Sequence, residues 1–195
     1  MAISKTPVSS DEFVSSWARD FSVYPPLGYV LRQNLAGNWT RFHSLSKSKR
    51  YPETDLQQQS VLSRANTLAK ECFGSRSTLW LVTEKYGEFD LETNTLIEEE
   101  RMVHVLSWVD ESEELADQRQ REFWAAKVAW KPTSLDRYFA GVLEDEYRLV
   151  LYDPATSTLL APYDGGFDIF SLRNEFLVSI EEKYQNWMSE RLDKM

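Results

Sequence analysis

Apolar residues recur with two different periods along this chain, and the change from one to the other falls near residue 75. Before it the spacing is helical. Phe13, Trp17 and Phe21 follow one another at i, i+4 and i+8 behind Ser9 and Glu12, the serine and glutamate spacing of a capping box, which predicts a helix over about 10–20. Pro25 and Pro26 interrupt it and can open a second short helix through Leu27, Tyr29 to Leu31 and Leu35, which Gly37 stops. Trp39 to Leu45 alternates as a strand does, and Ser46 to Pro52 is polar and loop-like. Thr54 with Gln57 forms another capping signal, opening a helix that carries Val61, Leu62, Ala65, Leu68, Ala69 and Cys72 on one face and ends at Gly74.

Beyond that point the period is two, the mark of a sheet. Leu79 to Thr83 reads as one strand and Arg101 to Val109 as another. The second is apolar on both faces, with Met102, His104, Leu106 and Trp108 on one and Val103, Val105 and Val109 on the other, so it is expected at the centre of the sheet, covered on both sides. The acidic stretches flanking it, 84–100 and 110–122, read as exposed connections or a short solvated helix. Phe123 to Trp130 carries two Trp and Val128 ahead of Pro132 and reads as a strand; Thr133 or Ser134 then caps a helix over Leu135 to Glu144. Tyr147 to Tyr152 and Thr158 to Pro162 are strands joined by an Asp153-Pro154 turn, and a short strand from Phe167 to Phe170 follows Asp164-Gly165-Gly166. Ser171 caps a closing helix whose Leu172, Phe176, Ile180, Tyr184, Trp187 and Met188 form an apolar stripe. The expected fold is therefore α+β: a single domain over 1–195, helical over about 1–75 and sheet-rich over about 76–195. Its sheet is mostly antiparallel or mixed, of about five to six strands, with N-terminal helices, one mid-chain helix and a C-terminal helix packed on it.

Composition narrows the setting. A chain of 195 residues with 42% hydrophobic residues can bury a core without a metal or disulfide, and its single Cys and two His offer neither an intramolecular bridge nor a His-rich zinc site. No run approaches the roughly 20 apolar residues of a membrane span, and Met1 to Ser10 lacks the features of a signal peptide, so a cytoplasmic location is expected, with no membrane partner. A net charge of −9 repels phosphate backbones, which sets nucleic acid aside as a partner. The charge is uneven. Residues 84–122 hold thirteen Asp or Glu against four Lys or Arg, a difference of nine that equals the net charge, whereas Arg41, Lys47, Lys49 and Arg50 fall in a stretch without an acid.

Chemistry is sparsely signalled. The chain has no phosphate-binding Gly-rich loop, no G-x-G-x-x-G, H-E-x-x-H, C-x-x-C or G-x-S-x-G motif and no calcium loop, so no metal or cofactor is expected and the enzyme reading is the weaker one. Cys72 falls at the negative end of a predicted helix, which disfavours a thiolate and points to a packed thiol. His104, alternating with apolar residues, reads as a core histidine. Arg41, His43, Lys47, Lys49 and Arg50 are candidates for holding a carboxylate or phosphate, although neutralisation of the acidic stretch explains them first. Tyr163, Asp164 and Asp168 form a candidate polar site in which turn chemistry already accounts for the glycines. Glu98, Glu99, Glu100, Asp110, Glu111, Glu113 and Glu114 make a candidate acidic surface for docking a basic protein partner.

Two stretches, RFHSLSKSKRYPE (Arg41 to Glu53) and APYDGGFDIF (Ala161 to Phe170), resemble signatures of a family of uncharacterised bacterial proteins, a domain of unknown function. In that family the first reads with proline where this chain has Ser46 and the second with alanine where it has Phe167. The resemblance implies a bacterial cytoplasmic origin and names no activity. A proline would have fixed the backbone at Ser46, so this loop is expected to be looser. The leading expectation is a non-enzymatic binding or interaction protein, immunity-like or regulatory, with the acidic surface as its docking face. The alternative is an enzyme or small-ligand binder that uses Arg41, His43, Lys47 and Arg50 against an anionic group, and the oligomeric state stays open.

Overall fold

The computed structural model describes residues 9–85, 90–110 and 120–189. In chain order its elements are α1 (Ser10–Phe21), α2 (Gly28–Asn34), β1 (Trp39–His43), α3 (Asp55–Phe73), β2 (Ser77–Lys85), α4 (Leu91–Glu100), β3 (Val103–Val109), β4 (Gln120–Trp130), α5 (Asp136–Leu143), β5 (Leu149–Asp153), β6 (Thr158–Tyr163), β7 (Gly166–Ser171) and α6 (Asn174–Lys183). Both N-caps form, but without the reciprocal half of a capping box: Glu12 pairs with Lys127 and the Gln57 side chain accepts from the Glu53 amide. The Ser9 hydroxyl accepts from the Asp11 amide at 3.3 Å and the Thr54 hydroxyl from the Gln57 amide at 3.3 Å, while Gly74 at φ 73° stops α3.

The strands lie in the order β1-β7-β6-β5-β2-β4-β3, every neighbouring pair antiparallel. The sheet has seven strands rather than the five to six expected. Alternation along each strand feeds two cores. Leu79, Leu81, Leu151, Leu160 and Ile169 face a cluster that takes in α3, α5 and α6, whereas Trp80, Val82, Val150, Tyr152 and Phe170 face one with α1 and α2. Helices therefore cover both faces. Every residue of β5 and β7 is buried, the near-continuous apolar reading of a two-sided strand.

That reading misleads at β3, which is an edge strand and not the centre of the sheet. Its register slips between His104 and Leu106, and His104, Ser107 and Val109 are exposed. His104 is accordingly not a core residue: its Nε2 lies 3.0 Å from the Ser107 hydroxyl and its ring stands edge-on to Trp124. The centre is held instead by β5 and β2. At the chain's end Ser171 does not cap the closing helix, which begins at Asn174; Ser171 is buried, 3.0 Å from the Thr158 hydroxyl, and Leu172 faces solvent. The acidic stretch 84–100 contributes α4, anchored by buried Thr93, Leu96 and Glu100. Cys72 is fully packed, and burial pushes its thiol up, away from the reactive thiolate.

Candidate functional site

Pairing of β1 with β7 sets the two signature stretches side by side. Arg41 stands opposite Asp168 and His43 opposite Gly166, and the Ser44 amide donates to the Gly165 carbonyl at 3.0 Å. Asp164 and Gly165 form the two-residue turn from β6 into β7, as the Asp-Gly pair predicts. The approach at Gly166 is too close for a side chain: a Cβ there would lie 2.1 Å from the Phe42 carbonyl oxygen.

This register builds a layered polar group. Arg41 grips Asp168 with both prongs of its guanidinium, Nε to Oδ1 at 2.7 Å and Nη2 to Oδ2 at 2.8 Å, and the Trp39 indole donates to the same carboxylate at 3.0 Å. The Arg41 guanidinium also lies 4.5 Å from the Tyr163 ring centroid. Nearer solvent, Asp164 accepts from Arg50 at 2.6 Å and from the Tyr51 hydroxyl at 2.7 Å. Partial burial works to raise the Asp164 carboxyl, but those two hydrogen bonds outweigh it and hold the group below the ordinary Asp range.

A cleft of about 500 Å³ opens over these residues, within the range of small-molecule sites. Arg41, Arg50, Tyr163, Asp164 and Asp168 line it, joined by Arg32 and Tyr29 from α2, Tyr51, Asp145, Tyr147 and Arg148 from the approach to β5, and Glu84 at the end of β2. Glu84 is buried; its carboxylate pairs with buried Arg121 and lies 3.6 Å from the exposed Arg148. Asp110, also buried, accepts from the Tyr29 hydroxyl at 2.8 Å, so α2 is tied to the same ionic group. Loss of water on burial is the first cause that pushes the phenols of Tyr29, Tyr147 and Tyr163 up to about 12, leaving all three as neutral donors near pH 7.

The remaining candidates fall elsewhere. His43 is buried outside the cleft lining, 3.2 Å from the Ser48 hydroxyl, and burial followed by the charges of Arg41 and Arg64 lowers its pKa, so it is not a cation at neutral pH. Lys49 turns to Glu53 at 2.8 Å and Gln57 at 3.1 Å. The Lys47 side chain lies outside what the structure describes. The cations Arg41, Lys49 and Arg50 thus meet Asp168, Glu53 and Asp164, none of which belongs to the acidic 84–122 stretch. Within that stretch Glu98 and Glu99 are exposed on α4, but Glu100 is buried against Arg137 and Asp110 against Arg121 and Tyr29. Glu111, Glu113 and Glu114 lie outside the described residues. Among the described residues no group of three His, Cys, Asp or Glu is placed to hold a metal ion.

Sequence reading missed Arg32, Glu84, Asp145, Tyr147 and Arg148. Arg32, Tyr147 and Arg148 lie in elements identified for their apolar residues, Glu84 reads with the exposed acidic stretch and Asp145 falls between two elements; only the meeting of α2 with the ends of β2 and β5 makes them neighbours. Comparison with known families supplies the context. Residues 27–192 match a family described as Domain of unknown function (DUF3885), and the chain belongs to it. Neither the curated proteins nor the solved structures contain a match.

Proposed function

From membership of a family whose description assigns no chemistry, we propose that this protein is a non-enzymatic binding protein whose cleft receives the anionic group of a small ligand. One observation carries the reading. Arg32 lines a cleft of about 500 Å³ formed where the two signature stretches meet, and among the described residues it has no ion-pair partner. A guanidinium is a planar fork of donors suited to a carboxylate or phosphate, and one with no carboxylate partner among the described residues is available to a ligand.

The other cations of the cleft support the site from behind. Arg41 and Arg50 are committed to Asp168 and Asp164, so they hold the walls in place. Engagement of these carboxylates, and of Glu84 with Arg121, favours binding over acid–base chemistry, since a group locked in an ion pair is a poor proton shuttle. An acidic docking surface draws less support: of its seven residues, Glu98 and Glu99 alone are described and exposed.

The test is calorimetric titration of the intact protein with succinate, inorganic phosphate and triglycine. At least one is expected to bind, and Arg32→Gln is expected to weaken it about fivefold or more while leaving the melting temperature unchanged. Failure of all three to bind, or unaltered affinity in Arg32→Gln, removes the reading.

A further inference from the structure

The cleft contains a second charged group with no ion-pair partner among the described residues, of the opposite sign. Asp145 lies in the turn between α5 and β5, lines the same cavity as Arg32, and its carboxylate makes no ion pair or hydrogen bond among the described residues. Its backbone sits at φ 56°, a left-handed conformation that Asp tolerates better than most residues, with its amide donating to the Val142 carbonyl at 3.2 Å. Every other carboxylate lining the cleft is engaged: Asp168 by Arg41, Asp164 by Arg50 and Tyr51, and Glu84 by Arg121 and Arg148.

An unpaired cation and an unpaired anion in one cleft would neutralise each other if they could reach. They come from opposite faces of the sheet, Arg32 from the α1/α2 layer and Asp145 from the end of α5 in the other layer, and they do not meet. The surroundings of each match a different ligand charge. Arg32 lies 5.8 Å from the Trp39 ring centroid and offers a fork of N–H donors. Asp145 is followed two residues on by Tyr147, and its charge reaches the Tyr51 phenol, which is raised first by its hydrogen bond to Asp164. A carboxylate in a cleft that Tyr51 and Tyr147 also line is a setting for an ammonium group, through charge and through the ring faces.

We infer that the cleft takes a dipolar ligand whose charges are set apart along a flexible chain, as in a short peptide, with its carboxylate at Arg32 and its ammonium at Asp145 beside Tyr51 and Tyr147. The inference rests on the reading of the cleft as an anion-accepting site and adds the cationic pole. Because Arg32 and Asp145 are drawn from opposite helix layers and do not pair, a ligand whose charges stand on separate residues suits the cleft better than a free α-amino acid, whose charges share one carbon. An extended tripeptide reaches about 10 Å.

Calorimetry of the intact protein with triglycine, N-acetyl-triglycine and triglycine amide tests this, because the capped forms remove one charge each. Triglycine is expected to bind at least about fivefold more tightly than either. Asp145→Asn is expected to abolish the preference over the acetylated peptide, and Arg32→Gln the preference over the amide, both near wild-type melting temperature because neither side chain loses an ion pair among the described residues and the Arg32 stem stays beside the Trp39 ring. Equal affinity for triglycine and its acetylated form overturns the dipolar inference and leaves the anion site standing. So does binding of succinate or phosphate with none of the three peptides. Absence of binding by all five compounds overturns both.

Discussion

Arg41 and Arg50 belong to one basic stretch and each meets an aspartate, yet they are held in different surroundings. The Arg41 side chain is 12% exposed and Asp168 6%, whereas Arg50 is 64% exposed. A cation that loses its counter-charge while held out of water keeps its desolvation cost, while an exposed one regains water. Asp168→Asn is therefore expected to destabilise the protein by about 3–5 kcal/mol, the loss being compounded by the Trp39 indole, which also donates to that carboxylate. Arg50→Ala is expected to leave the melting temperature near wild type. Urea denaturation of both variants checks the contrast, and equal effects would mean that the Arg41 pair is no more buried in solution than the Arg50 pair. The basic character of this stretch could be read from sequence; the identity of its partners could not, because Asp168 lies on β7, far along the chain, and only strand register brings it opposite Arg41. For the same reason Arg32, isolated on a short helix, carried no signal of its own.

Among the elements, the two ends of the sheet were legible to different degrees. At β6 and β7 the Asp-Gly turn fixed the hairpin and its register from local chemistry. At β3 local chemistry pointed the wrong way: valines on alternating positions resemble a central strand, but covering of both faces depends on what lies beyond the strand, and among the described residues β3 has a neighbouring strand on one side only. The β1–β7 contact shows how closely an element can depend on one residue. A methyl group at Gly166 would meet the Phe42 carbonyl at 2.1 Å, so Gly166→Ala must push the two strands apart and is expected to destabilise by about 2–3 kcal/mol. It should also loosen the Arg41–Asp168 pair carried on the same strands. Gly37→Ala, where the added methyl meets nothing within 4 Å, serves as the control and is expected to be neutral. Amide hydrogen exchange reads the strands directly: faster exchange across β1 and β7 in Gly166→Ala is the expected result, and unchanged protection would show that the backbone absorbs the methyl at no cost to pairing.

For the molecule as a whole, the sheet is the shared wall between two apolar clusters, and the cleft opens where both helix layers reach the same end of it. Period-two patterning made the sheet predictable and two-sided cover was expected, but which helices pack on which face was hidden, since a strand buried on two sides loses the alternation that would assign each face. A common wall has a thermodynamic consequence. Leu81 and Val82 are adjacent on β2 yet face opposite clusters, so neither cluster can lose its packing without exposing the strand that supports the other. We therefore expect the two layers to unfold together. Leu68→Ala, in the α3 layer, removes a fully buried side chain and is expected to cost about 2–5 kcal/mol; Phe21→Leu, in the α1 layer, about 1–2 kcal/mol. The pair share no cluster, so their effects should add to within about 0.5 kcal/mol and shift one transition, seen at the same urea concentration by far-ultraviolet circular dichroism and by tryptophan fluorescence. Separate transitions, with Phe21→Leu moving only the earlier one, would mean that the α1/α2 layer detaches on its own. In that case the wall carrying Arg32 would be free to move independently of the wall carrying Asp145.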